Sequence, residues 1–185
     1  MDPTALPRDL VADALERQMR TGLAMLRDAV ARCSDALWLD ATPTNACWQI
    51  AYHALYFTDL YLRPDEAAFV PFPGHQADVQ RPDGIGGPGD PADRRPVVPV
   101  PYGRAHVLAY ADHLMATMGD AIGALDLASP SSGFPWYPGV GKLAHQFVNL
   151  RHLQHHAAQL ADRLRAATDQ GVGWVVSRPA PSRTS

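Results

Sequence analysis

The segment from residue 48 to residue 62, WQIAYHALYFTDLYL, limits the possible folds of this chain more than any other. It is apolar nearly all the way round a helix, with two polar exceptions of interest, His53 and Asp59. A helix of this kind is stable in water only when several neighbouring elements bury it. The chain must therefore supply other long elements that pack around this segment.

Three further segments have the periodicity of amphipathic helices. Apolar residues recur at spacings of three and four over residues 6–34, 104–125 and 142–170. Together with a second helix at residues 44–62, they predict an all-α fold, a four-helix bundle. At 1.5 Å per residue the last helix would be roughly 43 Å long.

The residues outside these helices are predicted to be irregular. Residues 35–42 are expected to form a link that carries Trp38 and Leu39. Gly171 and Gly173 are expected to end the last helix. Residues 174–176 should then fold back onto the bundle, and residues 178–185 should form a disordered tail.

A long segment rich in proline and glycine separates the second and third helices, over residues 63–103. It holds roughly half of the 17 prolines and has too few apolar residues for a core of its own. A crossover that runs the length of the bundle would explain it, because the second and third helices could then lie parallel. Its GIGGPG stretch has the letters of a dinucleotide-binding motif, but no strand precedes it and a proline interrupts it.

Composition excludes several classes of function. With 185 residues the chain is most simply one domain, residues 1–177. A net charge of −3 without a basic run does not suggest nucleic acid or an anionic membrane surface as a partner. No apolar stretch approaches the roughly 18 residues of a membrane span, and the N-terminus lacks the features of a signal peptide. We expect a soluble cytoplasmic protein. A homodimer is one possible oligomeric state.

The strongest chemical signal is a pair of histidines in NLRHLQHHAAQL, residues 149–160. His152 and His156 are four residues apart, which places both on one helix face and lets two imidazoles hold one metal ion. The alternative is a polar face that merely carries histidines. His155 is about 100° round the helix, on the face of Arg151, Asp162 and Asp169, so we expect it to be solvated and not a ligand.

A third imidazole is expected from His53, which lies among apolar residues of the second helix. A buried histidine without a partner costs on the order of 1–3 kcal/mol, so it needs a hydrogen-bonding group or a metal. The last helix offers a polar stripe that could be solvated or could line a pocket against the second helix. The stripe consists of His145, Asn149, His152, His156, Gln159 and Arg163.

If His53 reaches this stripe, three histidines meet, and three protein ligands with an open position are typical of catalytic zinc sites. Zinc, nickel and ferrous iron all accept imidazole, so the cofactor is expected to be one of these divalent metals. A fourth ligand, from His145 or Asp59, would instead close the site and favour a structural role. Asp59 is interpreted as a structural hydrogen-bonding group, and a role in orienting a metal ligand from outside the coordination sphere stays open.

Other chemistries have weaker support. The chain has two glutamates and no E-x-x-H motif, which argues against a di-iron bundle. No G-x-S-x-G motif of a serine hydrolase is present, and VGK lacks the other residues of a P-loop. Cys47 stays open as a nucleophile, although it lies on a different helix face from His53.

A buried histidine in the second helix, followed by H-x-x-x-H-x-x-Q-L in the last, resembles the DinB/YfiT-like superfamily of metalloenzymes. The residues that match are His53 within WQIAYHALYFTDLYL and His152, His156, Gln159 and Leu160 within RHLQHHAAQL. The resemblance implies an up-down-down-up bundle with a long link between helices two and three. It also implies that His53, His152 and His156 bind the metal. Ala158 departs from the glycine that the family often has.

Relatives in that family use the metal to activate a low-molecular-weight thiol such as bacillithiol or mycothiol. The resemblance therefore implies a metal-dependent thiol transferase or isomerase that acts on a small-molecule substrate. Two alternatives stay open. One is a hydrolase that uses metal-bound water, and the other is a non-catalytic metal-binding or stress-response module.

Overall fold

The computed structural model describes residues 8–42, 45–81 and 100–176, and the regular structure in these ranges is entirely helical. The helices are α1 (Arg8–Arg32), α2 (Asp35–Leu39), α3 (Cys47–Tyr61), α4 (Arg104–Ala124) and α5 (Lys142–Thr168). The all-α class is thus as predicted. The first residues of the predicted first helix, the GIGGPG part of the crossover and the predicted tail lie outside the described residues.

The link expected at residues 35–42 contains a short helix, α2, which the prediction missed. Ser34 caps it, since the Ser34 side chain accepts a hydrogen bond from the backbone N–H of Leu37 at 3.2 Å. The Trp38 side chain is buried, and its indole N–H donates to the carbonyl of Tyr102 at 2.8 Å. Five residues are too few to display a helical period in the sequence, which explains the error.

The ends of two helices also differ from the prediction. Helix α3 begins at Cys47, three residues later than expected, and the Gln49 side chain accepts a hydrogen bond from the N–H of Ala46. Helix α5 ends at Thr168 because Asp169 adopts the left-handed conformation, so the glycines further on do not end it. Trp174 does not fold back onto the helices, since 78% of its surface is exposed.

The apolar helix α3 is buried as predicted. Eleven of its 15 residues are buried, among them Tyr52 and Leu55 with no exposed surface. It packs against α4 and α5, and α1 packs against the same two helices. The core therefore lies between the four long helices.

The contacts between α1 and α5 show how these two helices run relative to each other. Leu10, near the start of α1, lines a surface groove with Phe147, near the start of α5. At the other end, the Arg32 side chain donates to the carbonyl of Gly171 at 2.7 Å. Contacts between α1 and α5 thus follow the same order in both helices. Phe147 is 53% exposed in this groove.

The five described helices include none with the length and apolar character needed to cross a membrane.

Candidate metal centre

The structure brings His53 of α3 together with His152 and His156 of α5. The Nε2 atom of His152 lies 2.9 Å from Nε2 of His53 and 3.1 Å from Nε2 of His156. All three residues are half-buried. Each offers one ring nitrogen, and these three nitrogens all lie within 4.8 Å of one another. These are the three histidines that the sequence predicted to meet.

Hydrogen bonds along the polar stripe explain why α5 turns this face to α3. The Gln146 side chain donates to the carbonyl of Tyr61 at 2.7 Å, and the Asn149 side chain donates to the carbonyl of Thr58 at 3.2 Å. Further along α5, Arg163 donates to the carbonyl of Asn45. His152 and His156 lie between these bonds, so this part of α5 faces α3, whereas Gln159 of the same stripe is exposed.

The outer nitrogens of two rings have partners that set their orientation. Nδ1 of His53 donates to the carbonyl of Gln80 at 2.6 Å, and Nδ1 of His156 donates to Oε1 of Gln159 at 2.7 Å. Since both partners only accept, a neutral ring must carry its proton on Nδ1. The lone pair is then on Nε2, directed at the other histidines. Metal-binding histidines are commonly held in this way.

His152 is the innermost of the three histidines. Burial, followed by the proximity of His156 and His53, lowers the pKa of His152 to about 3. It is therefore neutral at physiological pH, and neutral imidazole is the form that binds a metal. Its Nδ1 atom has no hydrogen-bond partner among the described residues.

The spacing of the three nitrogens fits a single metal ion. Nitrogens that each lie about 2.0–2.1 Å from one tetrahedral zinc ion are about 3.4 Å apart. The observed separations of 2.9 and 3.1 Å are slightly shorter, so small rotations of the side chains are enough to match that geometry. Three imidazoles also suit zinc, nickel and ferrous iron by ligand type.

Neither of the two candidate fourth ligands joins the cluster. Asp59 accepts a hydrogen bond from the Tyr110 hydroxyl at 2.9 Å and pairs with Arg63, as expected of a structural hydrogen-bonding group. His145 is fully buried elsewhere on α5, and its ring packs against three aromatic side chains. These are Tyr61, Phe134 and Tyr137, at 4.6, 5.0 and 4.9 Å between ring centroids. In the described part of the chain the ligand group is limited to the three histidines.

The immediate surroundings of the cluster are apolar on one side. The Phe57 ring lies 4.8 Å from the His53 ring and 5.7 Å from the His152 ring. His155 is exposed on α5, with its ring 5.0 Å from that of His156, and lies outside the ligand group as expected.

Sequence reasoning missed one member of the site, Gln80. It acts through its backbone carbonyl, so no residue type at that position signals its role. Contacts with buried tyrosines help to anchor the segment before it. The Tyr52 hydroxyl and Nδ1 of His75 are 2.9 Å apart, and the N–H of Gln76 donates to the Tyr102 hydroxyl at 2.7 Å.

Comparison of the chain with protein families, with curated proteins and with solved structures finds no match. The resemblance to the DinB/YfiT-like superfamily therefore stays a prediction from the two histidine motifs.

Proposed function

We propose that His53, His152 and His156 hold one divalent transition metal and that the chain is a metal-dependent enzyme acting on a low-molecular-weight thiol, as a transferase or an isomerase. One observation carries the proposal. Three Nε2 atoms converge, two of them directed by hydrogen bonds at Nδ1, and no fourth protein donor joins them within the described ranges. Three ligands with an open position are typical of catalytic metal sites.

Each side chain has a defined part in this proposal. The three histidines hold zinc, nickel or iron, and such a metal lowers the pKa of a bound thiol so that it is present as thiolate. Gln80 and Gln159 keep the proton of two ligands on Nδ1. Phe57 limits the access of water from one side and provides an apolar surface for the substrate.

The proposed arrangement of the long helices is up-down-down-up, with residues 63–103 as the crossover. The contacts of α1 with α5 support a parallel pair, since they follow the same order in both helices. The contacts of α3 with α5 support an antiparallel pair, because Tyr61 meets Gln146 and Asn45 meets Arg163. In this arrangement α3 crosses the middle of α5 at the histidines.

Titration of the cobalt-loaded protein with small thiols tests this function. We expect a sulfur-to-metal charge-transfer band that saturates at one thiol per protein. The variant His155→Ala should give the same band, because that ring lies outside the ligand group. If cobalt binds but no low-molecular-weight thiol produces this band, the proposal is contradicted. The remaining interpretations would then be a hydrolase that uses metal-bound water and a non-catalytic metal-binding module.

A further inference from the structure

The Gln80 carbonyl that orients His53 belongs to an irregular stretch of the chain, the anchoring segment (residues 74–80). This carbonyl accepts the hydrogen bond from Nδ1 of His53 at 2.6 Å. A bond of this kind is lost once the two atoms are about 3.6 Å apart. The orientation of the His53 ring therefore depends on whatever fixes the anchoring segment to within roughly an ångström.

One hydroxyl group fixes the start of the anchoring segment. The Tyr102 hydroxyl donates its proton to the carbonyl of Gly74 at 2.9 Å and accepts a hydrogen bond from the N–H of Gln76 at 2.7 Å. A phenolic hydroxyl can both donate and accept, and this one does so between two backbone groups. It thus sets the course of the chain on both sides of His75.

The hydroxyl itself has a fixed position. The Tyr102 side chain is buried, and its ring stacks on the rings of Tyr52 and His106, with centroid distances of 4.4 and 4.5 Å. The backbone carbonyl of Tyr102 accepts the hydrogen bond from the Trp38 indole at 2.8 Å. Because packed core side chains stay in defined rotamers, Tyr102 is a rigid support for the segment.

Contacts continue from Tyr102 along the segment to Gln80. The Gln76 side chain bonds both backbone groups of Val100, donating to the carbonyl at 2.8 Å and accepting from the N–H at 3.0 Å. The carbonyl of Gln76 accepts a hydrogen bond from the N–H of Val79 at 3.3 Å, and Val79 is buried in the core. Gln80 follows directly, so a continuous set of bonds connects the Tyr102 hydroxyl to the carbonyl that holds His53.

We propose that Tyr102 is a positioning residue of the metal site, and that its hydroxyl holds the anchoring segment so that the Gln80 carbonyl fixes the His53 ring. This inference rests on the proposed three-histidine site. Tyr102→Phe removes the hydroxyl and keeps the stacked ring. Removal of a group that orients a ligand lowers metal affinity about 10–100-fold. Because Gln80 is displaced and not removed, we expect the lower end, about tenfold.

Zinc affinity of the whole chain, measured by competition with a chelator, tests the proposal. Tyr102→Phe should bind zinc about tenfold more weakly than the parent. The matched control is Tyr110→Phe, which also removes a buried tyrosine hydroxyl, but one that donates to Asp59. This control should bind zinc as the parent does. In a His53→Ala background, Tyr102→Phe should cause no further loss, because its effect passes through His53.

A second variant, Gly74→Ala, disturbs the same segment and leaves Tyr102 unchanged. Gly74 has a φ of 82°, in the left-handed region, and a Cβ atom there would lie 3.1 Å from the His106 ring. The backbone must therefore shift, and zinc affinity should fall as in Tyr102→Phe. This variant keeps the test decisive where Tyr102→Phe does not fold.

Nitrogen-15 NMR of the metal-free protein examines the same contact without zinc. The His53 ring of the parent should carry its proton on Nδ1, and this proton should exchange faster with solvent in Tyr102→Phe than in Tyr110→Phe. Parent-like zinc affinity in folded Tyr102→Phe, a further loss in the His53→Ala background, or a parent His53 protonated on Nε2 would overturn the proposal. None of these measurements uses a thiol, so a missing thiol band would contradict the proposed function alone.

Discussion

Replacement of Gln159 by leucine removes the acceptor that holds the His156 ring, while leaving all three histidines in place. Nδ1 of His156 donates to Oε1 of Gln159 at 2.7 Å, and this bond keeps the lone pair on Nε2. Loss of such an outer partner typically lowers metal affinity 10–100-fold, which is about 1.4–2.7 kcal/mol. Because Gln159 is exposed, water can replace its oxygen in part. We therefore expect a loss near tenfold.

Competition for zinc against a chromophoric chelator measures this loss directly. The matched control is His155→Ala, which alters an exposed side chain of the same helix and should bind zinc as the parent does. Circular dichroism should show unchanged helix content in both variants. A Gln159→Leu protein that binds zinc as tightly as the parent would refute the orienting role of this bond.

Three further predictions concern the site and the fold. Removal of metal by a chelator should leave the helical circular dichroism largely intact at room temperature, because the four long helices share a core of their own; loss of most of the signal would contradict this. His156→Ala should lose at least a hundredfold in zinc affinity, whereas His155→Ala should lose little; the reverse pattern would mean that the wrong face of α5 carries the ligands. Burial, then Lys142, lowers the pKa of His145 from 6.5 to about 4. Between these values the unfolded chain binds the proton and the folded chain does not, so the free energy of unfolding should fall by roughly 2–3 kcal/mol as the pH drops through this range. Urea unfolding at several pH values should show a shallower dependence in His145→Phe, and an equal slope would contradict the assignment.

The elements that carry the site could be predicted because their signals are periodic. Helix α3 is apolar on nearly every face and α5 has separate apolar and polar faces, and both patterns extend over several turns. The spacing of the residues therefore identifies both helices and the face of α5 that carries the ligands. The four-residue interval between His152 and His156 brings their rings together in any helix. His53 could be placed nearby because a buried imidazole needs a partner.

The remaining features depend on contacts between residues far apart in the sequence. Gln80 acts through a backbone carbonyl from an irregular segment, and α2 is too short to display a period. Residues of the polar stripe also have different surroundings, which the periodicity of the sequence does not predict. His145 lies on the same stripe as His152, yet it packs into aromatic rings and not beside the ligands, because the loop that carries Phe134 and Tyr137 covers it.

Metal content of the purified protein, compared with that of His53→Ala, is the most direct test of the central claim. His53 is the ligand contributed by α3, and its Nε2 atom lies 2.9 Å from that of His152. We predict one zinc, nickel or iron ion per parent chain and markedly less than one in the variant after equal dialysis, with helix content unchanged. A His53→Ala protein that retains the metal stoichiometry of the parent would contradict the three-histidine site.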